Sequence, residues 1–152
     1  LQQSVGNNII VTILQELLNN LGLVDKKEKE DKIDTWINDL AIKVPTPEAP
    51  VNTLSGGNQQ RVVLAKWLAT SPKVLILDGP TIGVDVAAKS SIHDIVKKLA
   101  SQGIGVIIIS DEVHEVLYNC HTIKVMKKGR IIGEFLADET SEEEVSQKIN
   151  VG

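Results

Sequence analysis

Two nearly unbroken apolar runs, Lys-Val-Leu-Ile-Leu-Asp at 73–78 and Ile-Gly-Val-Ile-Ile-Ile-Ser at 104–110, constrain this chain more than any other feature. Such runs offer no polar side to water, so they read as strands buried on both faces of a parallel sheet. Between them Ile92, Ile95, Val96 and Leu99 recur at helical spacing. Strand, helix and strand make a βαβ unit, whose crossover is right-handed. The expected class is therefore α/β, a mostly parallel sheet flanked by helices. Composition agrees: 152 residues with 42% hydrophobic and 24% charged content fit one ordinary globular domain and exclude collagen-like, low-complexity and disordered chains.

Upstream the texture is helical. Ile10, Ile13, Leu14, Leu17, Leu18 and Leu21 follow the spacing of an amphipathic helix, with Gly22 placed to end it. After the charge cluster 25–32, Ile33, Trp36, Ile37 and Leu40 predict a second helix whose charges are solvated. Pro45, Pro47 and Pro50 make 44–50 a loop. This divides the chain into a helical subdomain and linker, 1–50, and a core, 51–152. Downstream, 122–126 and 130–135 joined by Lys127, Lys128 and Gly129 predict a β-hairpin, the glycine supplying a positive φ. Ser141 with Glu144 three residues on is a capping box that opens a last helix.

Charge and cysteine content exclude several functions. Lys and Arg total 16 against 20 for Asp and Glu, a net of -4, which gives no electrostatic case for binding nucleic acid. A single cysteine, Cys120, cannot form an internal disulfide, and no Cys/His group has zinc spacing, which fits a reducing compartment. The apolar runs are far shorter than the roughly 18 residues that a membrane span requires. The chain opens on Leu1 rather than methionine, from which a cut chain is the expectation. His93 and His121 stand alone, Cys120 reads as a buried thiol, and Trp36 and Trp67 fall in helical stripes as core residues.

The most informative string is Leu54-Ser55-Gly56-Gly57-Asn58-Gln59-Gln60-Arg61, which opens a helical stretch running to Ala69. A serine hydroxyl and consecutive glycine amides at a helix N-terminus attract phosphate, because unpaired N–H groups and the helix dipole both favour an anion. The glycines also let backbone approach closely. Ser-Gly-Gly alone serves equally as a plain cap after a tight turn. Asp78, closing a buried strand, is placed to hold Mg²⁺ beside nucleotide phosphates. The order of the two motifs is the stronger signal.

Together these residues resemble the nucleotide-binding domain of ABC transporters, a P-loop NTPase-like fold, with the signature at 54–60 and the Walker B strand at 74–78. Ile82-Gly83-Val84-Asp85 resembles the D-loop, and Ser110-Asp111-Glu112 stands at the switch-histidine loop. The Asn58-Gln59-Gln60 ending, Gly83-Val84-Asp85-Val86 and the closing hairpin look most like the second ATPase domain of bacterial monosaccharide importers. The phosphate-cradling Gly-Lys-Ser/Thr loop is not in the sequence, so the resemblance covers the C-terminal two-thirds of one such domain. First strands lying upstream of Leu1 would leave sheet edge and apolar surface uncovered, which favours association.

Two departures bear on chemistry. Where the family has a glutamate acting as general base after the Walker B aspartate, this chain has Gly79, which takes no proton. Where a histidine contacts the γ-phosphate it has Asp111, an anion that repels phosphate. Helix geometry argues against His114 as a substitute, and Glu112 is no better as base. No catalytic residue is therefore expected in the chain.

The resemblance implies two domains facing head to tail. Leu54, Ser55, Gly56, Gly57, Asn58 and Gln59 then contact an ATP held by the partner domain, and Asp78 serves Mg²⁺ at this chain's own, hydrolysis-deficient site. Gly83, Val84 and Asp85 lie at the interface and couple the sites. The partners implied are a second nucleotide-binding domain, transmembrane permease subunits and, indirectly, a sugar-binding protein, with no nucleic acid. The place implied is cytoplasmic, peripheral at the inner face of the cell membrane. Two other classes are a DNA-maintenance ATPase head of the SMC type, disfavoured by the lack of heptad coiled coil, and a degenerate interaction module that never meets ATP.

Overall fold

A computed structural model describes residues 2–19 and 21–151. By contact the chain divides into two compact units, 1–75 with 81–105, and 76–80 with 106–152.

Among the described residues, four α-helices build the first unit. α1 (Val5–Ile10) is capped by Ser4, whose Oγ accepts from the Asn7 amide at 3.2 Å. α2 (Lys26–Asp39) is capped by Asp25, which accepts from the Glu28 amide at 3.0 Å. α3 (Gly56–Leu68) and α4 (Val86–Ser101) follow, the latter capped by Asp85. Each cap satisfies an amide that a helix start leaves without an internal partner. α1 packs on α2 and α3, and α3 packs on α4. Val5, Ile9, Ile33, Val51, Val62, Leu68 and Ile92 are buried, so the stripes expected of α2 and α4 do turn inward. The proline-rich segment is a loop that lies along the start of α1, with the Gly6 amide donating to the Pro47 carbonyl at 2.8 Å and Val5 to Ala49 at 3.0 Å.

The first expected helix differs from its periodicity. Regular helix stops at Ile10, and 11–17 wind on as successive turns, with Ile13 bonding back to Ile10 at 3.0 Å and Glu16 to Ile13 at 3.0 Å. These are three-residue closures, and they bury Ile13 and Leu17 as a helix would have done. The β-branched run Val11-Thr12-Ile13 weakens helix there, and the Thr12 hydroxyl donates to the Lys66 carbonyl of α3 at 2.7 Å. Gly22, at φ +73°, turns a short loop instead of ending a helix.

Strands β1 (Val74–Asp78) and β2 (Gly105–Ile109) are neighbours. The Gly105 amide reaches the Lys73 carbonyl at 2.9 Å, and the Gly79 amide reaches Ile109 at 2.9 Å. Pairing advances the same way along both, so the sheet is parallel. Burial on both faces does not hold: Leu75 is buried, but Val74, Ile76, Ile107 and Ile109 are 50–62% exposed. Among the described residues this sheet has two strands, too few to offer a sandwiched layer.

The second unit continues with α5 (Val113–Asn119), β3 (Thr122–Lys127), β4 (Arg130–Leu136) and α6 (Glu142–Val151). β3 and β4 form the expected antiparallel hairpin, turning through Lys128 at φ +48° and Gly129 at φ +76°, the pair of left-handed residues that matches strand twist. A bulge at Ile132 lies opposite the step from Val125 to Met126. Ile123, Val125 and Val145 form the core, covered by Val113, Val116, Leu117, Phe135 and Ala137. The capping box is present: Glu144 donates its amide to Ser141 Oγ at 3.2 Å and accepts from the Ser141 amide at 3.3 Å. Three core assignments fall short. Trp67 is 50% exposed with Lys66 Nζ 5.2 Å from its ring, and Trp36 and Cys120 are part-buried. No helix of the described residues is long and apolar enough to cross a membrane.

Candidate functional site

Sequence places the signature at the start of α3, and the first unit gives it a specific shape. Ser55 occupies the cap position, yet its hydroxyl oxygen takes no bond from the first-turn amides. Those amides therefore remain available to an anion at the end of a 13-residue helix. Ser55 and Gly56 are exposed and Gly57 is buried. A side chain on Gly57 would put its Cβ 2.6 Å from Ala88 Cβ, so the close packing of α3 on α4 requires glycine there. At Gly56 an added Cβ would stand 3.2 Å from the Gly83 carbonyl, so the signature and the 82–85 loop abut. Gln59 turns back, its Nε2 donating to the Leu54 carbonyl at 2.8 Å. Asn58 accepts from the Lys43 amide at 2.8 Å and donates to Ser55 Oγ at 2.9 Å.

The abutting loop is exposed at its flanks: Ile82 is 77% and Val86 85% exposed. Gly83 adopts φ +73°, Val84 is part-buried beside Gly57, and the Asp85 carboxylate accepts from the Ala88 amide at 3.0 Å as the cap of α4. Arg61, quoted with the signature but given no role by the sequence, donates to the Leu40 carbonyl at 3.0 Å, to the Ala41 carbonyl and to the Ser91 hydroxyl. Nothing in residue type or spacing points to Leu40, Ala41 or Ser91, because the first two contribute backbone oxygens.

The second unit carries Asp78, Gly79 and Asp111. Asp78 is exposed at the end of β1, and Gly79 follows at φ +55°. Asp111 is exposed just before α5. The His114 ring lies 4.4 Å from that of Tyr118 and its Nδ1 3.7 Å from a Glu142 carboxylate oxygen, with most of the side chain exposed. Among the described residues no three His, Cys, Asp or Glu side chains converge as a metal cage. A lone carboxylate still suits Mg²⁺, which takes one or two carboxylates and fills its shell with water and phosphate oxygens. Burial, then the nearby Glu115 charge, pushes the Cys120 thiol up from its ordinary value, which marks an unreactive sulfur.

The family described as ABC transporter matches residues 2–82, a span that runs from α1 through the signature and β1. The chain belongs to the ABC transporter family. Its relatives include a ribose import ATP-binding protein of Rhizobium etli, 46% identical over 95% of this chain and 28% of that protein. A ribose import ATP-binding protein of Clostridium perfringens is 43% identical over all of this chain and 30% of its own length. A xylose import ATP-binding protein of Geobacillus kaustophilus is 54% identical over 70% of this chain and 21% of its own. The chain thus spans less than a third of these relatives. Among solved structures the ATP-binding cassette MJ1267 superposes with a TM-score of 0.77 at 24% identity, over 99% of this chain and 60% of that one. Structure cbiO1 of Clostridium perfringens, part of an ABC transporter complex, gives 0.72 at 28% identity, over 99% and 56%. The expected ABC ATPase α/β fold is the observed one.

Proposed function

We propose that this chain is part of the ATP-binding component of an ABC sugar importer, and that its signature completes the phosphate shell of an ATP held by a second nucleotide-binding domain. The observation that carries this lies in the first unit, where Gly56 meets the Gly83 carbonyl while Ser55, Ile82 and Val86 are exposed. Uncapped first-turn amides and an exposed serine hydroxyl suit a phosphate, and exposed apolar side chains beside them suit a protein partner. Relatives named for ribose and xylose import support the sugar.

In this reading Ser55 donates its hydroxyl, and Gly56 and Gly57 their amides, to phosphate oxygens brought by the partner, with Leu54 and Gln59 closing the loop beneath. Gly83, Val84 and Asp85 lie against the partner and couple the two sites. Asp78 would hold Mg²⁺, which when bound neutralises phosphate charge. Gly79 provides no base and Asp111 no donor, so this chain's own site holds nucleotide without turnover. Closure on ATP pulls on permease subunits at the cytoplasmic face of the membrane, fed by a sugar-binding protein.

The test is Ser55→Ala in the assembled transporter. The expected result is about a tenfold loss of ATPase, the value of a hydrogen bond to a charged group. Unchanged ATPase would make the chain an interaction module that never meets ATP.

A further inference from the structure

We infer that Asn58 is a positioning residue, tying the backbone that leaves α2 to the Ser55 hydroxyl and aiming that hydroxyl's proton outward. This rests on the signature reading proposed above, and changes the part assigned to one of its members.

A backbone amide can only donate. The Lys43 amide, 2.8 Å from Asn58, therefore fixes the carboxamide oxygen on that side and turns the NH₂ toward Ser55 Oγ, 2.9 Å away. With that NH₂ on one of its lone pairs, the serine hydroxyl has no reason to point its own proton at Asn58. Nor does it serve as acceptor for the α3 amides, so it stands exposed as a donor, the state that a phosphate oxygen needs. Each end of the carboxamide makes one hydrogen bond within the chain.

One helical turn further along the same face of α3, Arg61 grips the same segment through the Leu40 and Ala41 carbonyls and reaches Ser91 on α4. That segment is held in a set form: Ala41 sits at φ +48°, and the Ile42 amide closes back on Ile37 at 2.9 Å. The end of α2 is thus fastened to α3 at two points, one of which terminates on the serine. A shift of α2 against α3 changes the aim of the Ser55 hydroxyl before anything else at the signature.

The experiment is a double-mutant cycle in the assembled transporter, reading KM and kcat for MgATP with Ser55→Ala, Asn58→Ala and both together, and with Asn58→Asp, alongside thermal unfolding of each chain. Asn58→Ala is expected to lower kcat/KM about fivefold and Ser55→Ala about tenfold, with the pair no worse than Ser55→Ala alone. Asn58→Asp keeps the acceptor for Lys43 but invites the serine proton inward, and is expected to cost more than Asn58→Ala with Tm unchanged. Losses that multiply in the double variant would give Asn58 a nucleotide contact of its own and overturn the inference. So would a silent Asn58→Ala beside a costly Ser55→Ala. A silent Ser55→Ala would instead remove the signature reading, and this inference with it.

Discussion

The start of α3 and the end of β1 both carry residues associated with nucleotide, but the chain invests in them very differently. At α3 every position is constrained: Gly57 by Ala88, Gly56 by the Gly83 carbonyl, Ser55 by Asn58, and Asn58 by the Lys43 amide. At β1 an exposed carboxylate is followed by a left-handed glycine, and Asp111 stands exposed just before α5. The contrast teaches that a helix start can be held by its neighbours at four successive residues while a strand end in the same chain is left exposed.

The largest test of that contrast is packing. Ile92→Ala removes a fully buried side chain from the first unit and is expected to cost about 3 kcal/mol in urea unfolding, whereas Val145→Ala in the second is expected to cost about 2 kcal/mol. Hydrogen exchange should show each loss of protection confined to its own unit. Loss spread evenly across both would break the division.

Next is Gly57→Ala, expected to destabilise by about 2 kcal/mol because α3 and α4 must part to admit a Cβ 2.6 Å from Ala88. A neutral result by the same measurement would mean that α3 and α4 separate freely. Gly79→Glu asks the opposite question of the second unit. Its left-handed backbone should cost a side chain about 1 kcal/mol, and turnover at this chain's own site is expected to return only when Asp111→His accompanies it. ATPase of the assembled transporter reads both.

The smallest effect is one of pH. Because the folded Cys120 thiol titrates above its ordinary value, its neutral form favours folding. That contribution is whole below the unfolded thiol value of about 8.5 and is lost as pH rises through the folded one. Iodoacetamide labelling at pH 8 should therefore lag behind that of the denatured chain and gain on it as pH rises. Equal rates at pH 8 would contradict the burial that raises this thiol.

Much of this was legible in the residues. The α2 stripe, the hairpin and the Ser141 capping box follow from local chemistry, and local chemistry decided them. The helix expected through Leu21 was not, since a repeat of three to four serves successive tight turns as well as a helix, and a threonine hydroxyl bonding another helix leaves no trace in spacing. Burial of β1 and β2 was misjudged for a related reason: an apolar run records what a strand is suited to touch, and two strands do not enclose themselves. At the site, the signature glycines were legible as a pattern. That Gly57 faces Ala88 and Gly56 the Gly83 carbonyl, and that Asn58 faces the Lys43 amide 15 residues away, depend on segments brought together by the fold.

The central claim is that this chain recognises phosphate from the α3 end and has little primary affinity for nucleotide on its own. Calorimetric titration of the chain with MgATP tests it most directly. The account predicts no detectable heat of binding, whereas micromolar affinity for MgATP would contradict it and place a complete phosphate site within these 152 residues.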